Sequence, residues 1–247
     1  VLAQAMETGE RPVPVEAADA ARAALFGIRQ SEGREAVNPL GRVIAVGLAS
    51  HVGEVRFEDL RPLLIDHESR RKLLATRGQT GDAILTRGRT SRRTMRLEQA
   101  LTQHLALSLG DGRQVASADR LLPVLESAGL SPAQEQALVH MALSGDRITA
   151  VHGVAGAGKS MLVRSLKEAA HPGMALTALA PTSSAAAELG DRAEIASRTV
   201  ASLLASGGHG LSSKDVLILD EAGQLGNRQA LRVLEISRAT GARLILL

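Results

Sequence analysis

The sequence predicts an α/β protein in two parts: a mainly helical N-terminal domain over residues 1–129, then a domain built on a parallel sheet over residues 130–247. Three observations carry this. From Leu130 onward, short runs at 148–151, 174–180, 216–219 and 244–247 alternate with helical patterns. Those runs are apolar throughout rather than at every second position, which marks strands covered on both faces, and helical connections between such strands make a parallel sheet. The first run also leads through a glycine-rich loop directly into an amphipathic segment.

Composition sets the outer bounds. A chain of 247 residues can bury one large core or two small ones. With two Phe, no Trp and no Tyr, the core must be aliphatic and platforms for stacking nucleic-acid bases are scarce. The formal net charge is only +3, yet 25 of the 29 basic residues are Arg, which lifts the sequence pI to about 9.9. The absence of cysteine excludes disulfides, thiol chemistry and cysteine zinc sites, and suits a cytoplasmic protein. No stretch approaches a membrane span and no signal peptide opens the chain, so membrane insertion is not expected. The first residue is Val1 and the last six, 242–247, read as an unfinished apolar strand. The expectation is a piece of a longer protein, its second domain truncated.

Taken in order, residues 1–16 contain Pro12 and Pro14 and read as an extended linker. Helices are expected over 17–30, 40–50 and 57–74, the last parted near Pro62 or Asp66. Residues 84–87 suit a short strand paired across Gly88 with the residues that follow. Thr90 and Ser91 offer N-caps for a helix over 92–109, and another is expected over 117–128. Ser131-Pro132 then gives an N-cap with proline at the first helical position, opening a helix to about Ser144. Further helices are expected at 159–169, 183–189, 200–204 and 228–239.

Two motifs carry the chemistry. Gly153-x-x-x-x-Gly158-Lys159-Ser160 has the spacing of a phosphate-binding loop. Gly153, Gly156 and Gly158, with Ala157 between the last two, let the backbone turn successive N–H groups inward as an anion nest. The following helix adds its positive N-terminal end, Lys159 a full charge for the β- and γ-phosphates, and Ser160 a hard oxygen for Mg²⁺. The predicted ligand is a nucleoside triphosphate, ATP, with Mg²⁺. The second motif lies 67 residues after Gly153, where an apolar strand delivers Asp220 and Glu221 to its C-terminal end. There Asp220 would hold Mg²⁺ and Glu221 would polarise the attacking water.

Other stretches leave two readings open. Gln134 could reach an adenine edge or be an ordinary residue of a capped helix. Pro181, Thr182 and Ser183 could grip a nucleic-acid phosphate or form a plain capping turn, and the segment around Thr199 invites the same pair. Between Glu68 and Arg96 the chain carries a net charge of +7, including Arg92 and Arg93. This is either a surface for single-stranded DNA or a solvated face.

The order of these elements resembles the first RecA-like motor domain of a superfamily 1 DNA helicase, in the RecD-like branch, and most of all the helicase part of TraI-type conjugative relaxases. Over 130–247 the resemblance rests on the Gln134 helix, Gly153–Ser160, Ala180-Pro181-Thr182, Arg198-Thr199-x-x-Ser202 and Asp220-Glu221. Over 40–128 it is carried by His51 before Phe57 and by Thr90 to Glu98. It implies a Mg-ATP-dependent helicase or translocase moving 5′ to 3′, touching single-stranded DNA through Pro181, Thr182, Ser183 and Thr199. It also implies, as partners, the other domains of a longer relaxase-helicase and the secretion machinery of plasmid transfer. Alternatives are a RecD-like repair helicase, a non-catalytic single-strand-binding or secretion-docking module, and an unrelated phosphate-loop ATPase. The family's Gly-Asp-x-x-Gln loop, second motor domain and arginine finger do not occur in these residues, so efficient turnover is not expected of them alone. The chain has no Tyr and its seven His are scattered, so strand nicking is not expected here either.

Overall fold

The computed structural model describes residues 17–33, 35–80, 83–153 and 158–247. The linker expected at 1–16 lies outside the described residues. The chain forms two compact units, Val1–Gln99 and Ala100–Leu247. Among the described residues, no helix is long and apolar enough to cross a membrane.

In the first unit, α1 (Ala17–Glu32), α2 (Leu40–Ser50) and α3 (Phe57–Ser69) surround a core of Ala20, Ala23, Ala24, Val43, Ile44, Leu60 and Leu64. Two glycines that look like helix breakers in the sequence are instead contact points. A Cβ on Gly27 would come within 2.4 Å of the Val43 carbonyl, and one on Gly47 within 2.8 Å of the Leu60 side chain. The helices meet too closely there for any side chain.

The region expected to be helical over 57–74 divides differently. Helix α3 runs through Pro62 without parting and stops at Ser69. Arg71 then takes a left-handed turn (φ 53°), and Leu73 and Leu74 open strand β1 (Leu73–Thr80). Its antiparallel partner is β2 (Ala83–Ser91), with Ile84 opposite Gln79 and Gly88 opposite Thr76. Residues 84–87 are therefore a strand as expected, but they pair backward with β1 rather than forward across Gly88. Such pairing is non-local, and period-2 patterning within one run does not name the partner. Helix α4 (Arg92–Ala106) follows, its Thr94 N–H donating to Ser91 Oγ at 3.2 Å.

The second unit is the expected sheet with helices. It comprises α5 (Ala118–Ser127), α6 (Pro132–Leu143), β3 (Ile148–Ala150), α7 (Lys159–Ala169), β4 (Ala175–Ala180) and α8 (Ser183–Ala193). Then come β5 (Ala196–Thr199), α9 (Val200–Ser206), β6 (Asp215–Leu219), α10 (Asn227–Thr240) and β7 (Arg243–Leu246). The five strands are all parallel, in the order β3-β7-β6-β4-β5. Strand β5 was not expected. Its sequence, Ala-Ser-Arg-Thr, is polar because it is an edge strand paired only with β4.

Burial alternates along β6 in the way a doubly covered sheet requires. Val216 and Ile218 enter one core with Leu138, Met141, Val163 and Leu166, whereas Leu217 and Leu219 enter the other with Val200, Leu203 and Val233. All four are 0–2% exposed. The sequence changes texture near Gly129, but this unit starts earlier: Val115, Ala116, Leu121 and Val124 pack into the first of those cores.

Candidate nucleotide site

Because every strand runs the same way, the C-terminal ends of β3, β4, β5 and β6 lie along one edge of the sheet. That edge is where open α/β sheets bind ligands. It collects Lys159 and Ser160 after β3, Pro181 and Thr182 after β4, Thr199 at the end of β5, and Asp220 and Glu221 after β6.

Strand β7 stands between β3 and β6, so the loop carrying Lys159 and the strand end carrying Asp220 start roughly 10 Å apart. The lysine spans that gap: its Nζ donates to Asp220 Oδ1 at 2.5 Å. The same carboxylate oxygen accepts the Glu221 N–H at 2.9 Å. Lys159 and Asp220 are both half-buried, at 28% and 18% side-chain exposure. Glu221 itself holds a left-handed backbone (φ 55°), which a residue with a Cβ adopts only at a cost of about 1–2 kcal/mol. Strain of this kind gathers where a side chain must be aimed.

Gly158 is the N-cap of α7 and has φ 80°, so it is required as glycine. The N–H groups of the first turn of α7 have no intrahelical partners and face outward along the axis. Gly153 ends the described part of the loop, and the expected loop residues Gly156 and Ala157 lie outside the described residues. Gly158, Lys159, Ser160, Asp220 and Glu221 line one cleft of about 480 Å³.

The sequence reading missed the far wall of that cleft, formed by Ala185, Glu188, Leu189 and Arg192 of α8. Their i, i+3, i+4, i+7 spacing marks one helix face, a signal present in the sequence but with nothing to say what it faces. Arg192 pairs with Glu188 at 3.0 Å on this wall.

The two-way stretches acquire definite local roles. Gln134 Oε1 accepts the Ser131 N–H at 2.8 Å while Ser131 Oγ accepts the Gln134 N–H, a reciprocal capping box for α6. Thr182 Oγ1 caps α8 by accepting the Ala185 N–H, and Thr199 Oγ1 caps α9 by accepting the Ser202 N–H. Thr182 and Ser183 are exposed, and Pro181 and Thr199 are partly so. Arg92 and Arg93, in the first unit, are exposed on the first turn of α4. That turn carries no acid, so two cations sit at the positive end of a helix dipole, against the usual preference.

Comparison with known proteins adds the lineage. Residues 129–247 match the AAA domain family. The probable conjugal transfer protein TraA of Sinorhizobium fredii (strain NBRC 101917 / NGR234) is 37% identical over 121 residues, 47% of this chain and 11% of that protein. The conjugal transfer protein TraA of Rhizobium radiobacter is 32% identical over 172 residues, 68% of this chain and 16% of that one.

Proposed function

Because residues 129–247 form an AAA domain, a helicase-like P-loop module, in a chain homologous to conjugal transfer TraA proteins, we propose that it is the first motor domain of an ATP-dependent DNA helicase or translocase serving plasmid transfer. The domain division we adopt is 1–129, mainly helical, and 130–247, motor. The observation that carries the reading is the Lys159–Asp220 contact across the intervening strand, which joins the two motifs at one cleft.

The residues present fit Mg-ATP: a cation, a helix N-terminus opened by a left-handed glycine, a hydroxyl and two acids share the cleft. In this reading Lys159 holds the β- and γ-phosphates and Ser160 and Asp220 hold Mg²⁺, which neutralises phosphate charge when bound. Glu221 takes a proton from the attacking water at its carboxylate. Gln134 orders the end of the phosphate loop and approaches the base. Pro181, Thr182, Ser183 and Thr199 contact single-stranded DNA from the same sheet edge, and Arg92 and Arg93 add backbone contacts from the first unit. The remaining domains of a longer relaxase-helicase and the secretion machinery are the proposed partners, in the cytoplasm.

Fluorescence anisotropy with a labelled single-stranded oligonucleotide tests the DNA side. We expect binding whose salt dependence flattens in Arg92→Glu/Arg93→Glu, since fewer counterions are released. A chain that binds no single strand, with or without Mg-ATP, would overturn the helicase reading.

A further inference from the structure

The Lys159–Asp220 pair ties up the two groups that the proposed function, on which this inference rests, assigns to phosphate and to magnesium. We propose that the pair is a specificity determinant: it admits nucleotide carrying Mg²⁺ and refuses nucleotide without it. The argument is one of charge exchange. For Lys159 to reach a phosphate it must leave Asp220 Oδ1, which it meets at 2.5 Å. Asp220 would then keep only the Glu221 N–H on that oxygen, in a carboxylate 18% exposed, with a polyanion arriving beside it. Leaving a half-buried charge without its counter-charge is penalised. A ligand that brings its own divalent cation removes the penalty, because the metal takes the position on Asp220 that the lysine gives up. Charge is conserved across the exchange: Lys159 passes from carboxylate to phosphate, and the metal replaces it. The Glu221 side chain stands next in sequence and in the same cleft, with no ion pair to Lys159. That difference separates the exchange from simple relief of repulsion.

The test is isothermal titration of the full chain with ATP in EDTA and with ATP in excess Mg²⁺, for the wild type, Asp220→Asn and Glu221→Gln. Asp220→Asn frees Lys159, so metal-free ATP should bind about fivefold more tightly than to the wild type. Glu221→Gln, which removes the same charge without freeing the lysine, should gain clearly less. The double variant Lys159→Met/Asp220→Asn should lose the gain while folding as the wild type by circular dichroism. No gain in Asp220→Asn, or an equal gain in Glu221→Gln, overturns the exchange and leaves the nucleotide site standing. Failure of the wild type to bind Mg-ATP overturns both.

Discussion

The Gln134 side chain stands directly over Gly158: a Cβ on that glycine would come within 2.5 Å of Gln134 Nε2. The residue that closes the N-terminal box of α6 therefore also roofs the glycine that opens α7. The upstream helix and the phosphate loop are fixed to one another before any ligand arrives.

Gly158→Ala should consequently suffer twice, from a left-handed φ of 80° and from the carboxamide above it. The backbone term alone costs about 1–2 kcal/mol, so Mg-ATP affinity should fall about tenfold or more. Gly158→Ala/Gln134→Ala should recover part of that loss, and calorimetry of both variants checks it. Equal affinity for the two would mean that the roof contributes nothing.

At Glu221 the ordinary ranking of glycine and alanine should invert. In a helix, glycine is the less stable of the two, but at φ 55° a Cβ is the burden. We expect Glu221→Gly to be more stable than Glu221→Ala by about 1 kcal/mol in urea unfolding, with ATP turnover lost in both.

Arg243 opens β7 almost wholly buried, at 2% exposure. Its guanidinium donates to the carbonyls of Met141, Ser144 and Arg113, collecting the end of α6 and the preceding loop. Burial lowers its pKa to about 10, with Asp146 acting in the opposite direction. Arg243→Met leaves those carbonyls without donors and should destabilise the second unit by about 3 kcal/mol in denaturant titration. Arg243→Lys should not restore it, because an ammonium lacks the planar fork.

His67, in the last turn of α3, has a pKa pushed below its usual value by burial and then by Lys72 and Arg70, against the pull of Asp66. The sign follows: below pH 6.5 the unfolded chain takes up the proton more readily than the folded one. The stability this neutral histidine provides is complete above pH 6.5 and is lost as pH falls through the depressed folded value. Thermal unfolding of the first unit should show a decline on acidification below that pH, and His67→Gln should flatten it.

These outcomes also mark which parts of the molecule were legible from the sequence. The span from β3 through Ser160 into α7 is contiguous, so its apolar run, glycine spacing and amphipathic helix could be read locally, as could Ser131-Pro132 at α6. Asp220 was legible because a fully apolar strand that runs straight into paired acids marks the ligand-binding edge of a parallel sheet. The β1–β2 hairpin was not, because Leu73 and Leu74 continue a helical pattern until Arg71 reverses the chain. Strand β5 was hidden by its polarity, and Ala185, Glu188 and Arg192 by facing a cleft that only the tertiary fold creates.

The central claim is that the loop before α7 and the acids after β6 form one nucleotide site. Its most direct test is calorimetric titration of the wild-type chain and Lys159→Ala with Mg-ATP. Saturable one-to-one binding to the wild type, abolished or weakened by at least about tenfold in a folded Lys159→Ala, is the result the account predicts. Equal affinity in the two proteins would contradict it.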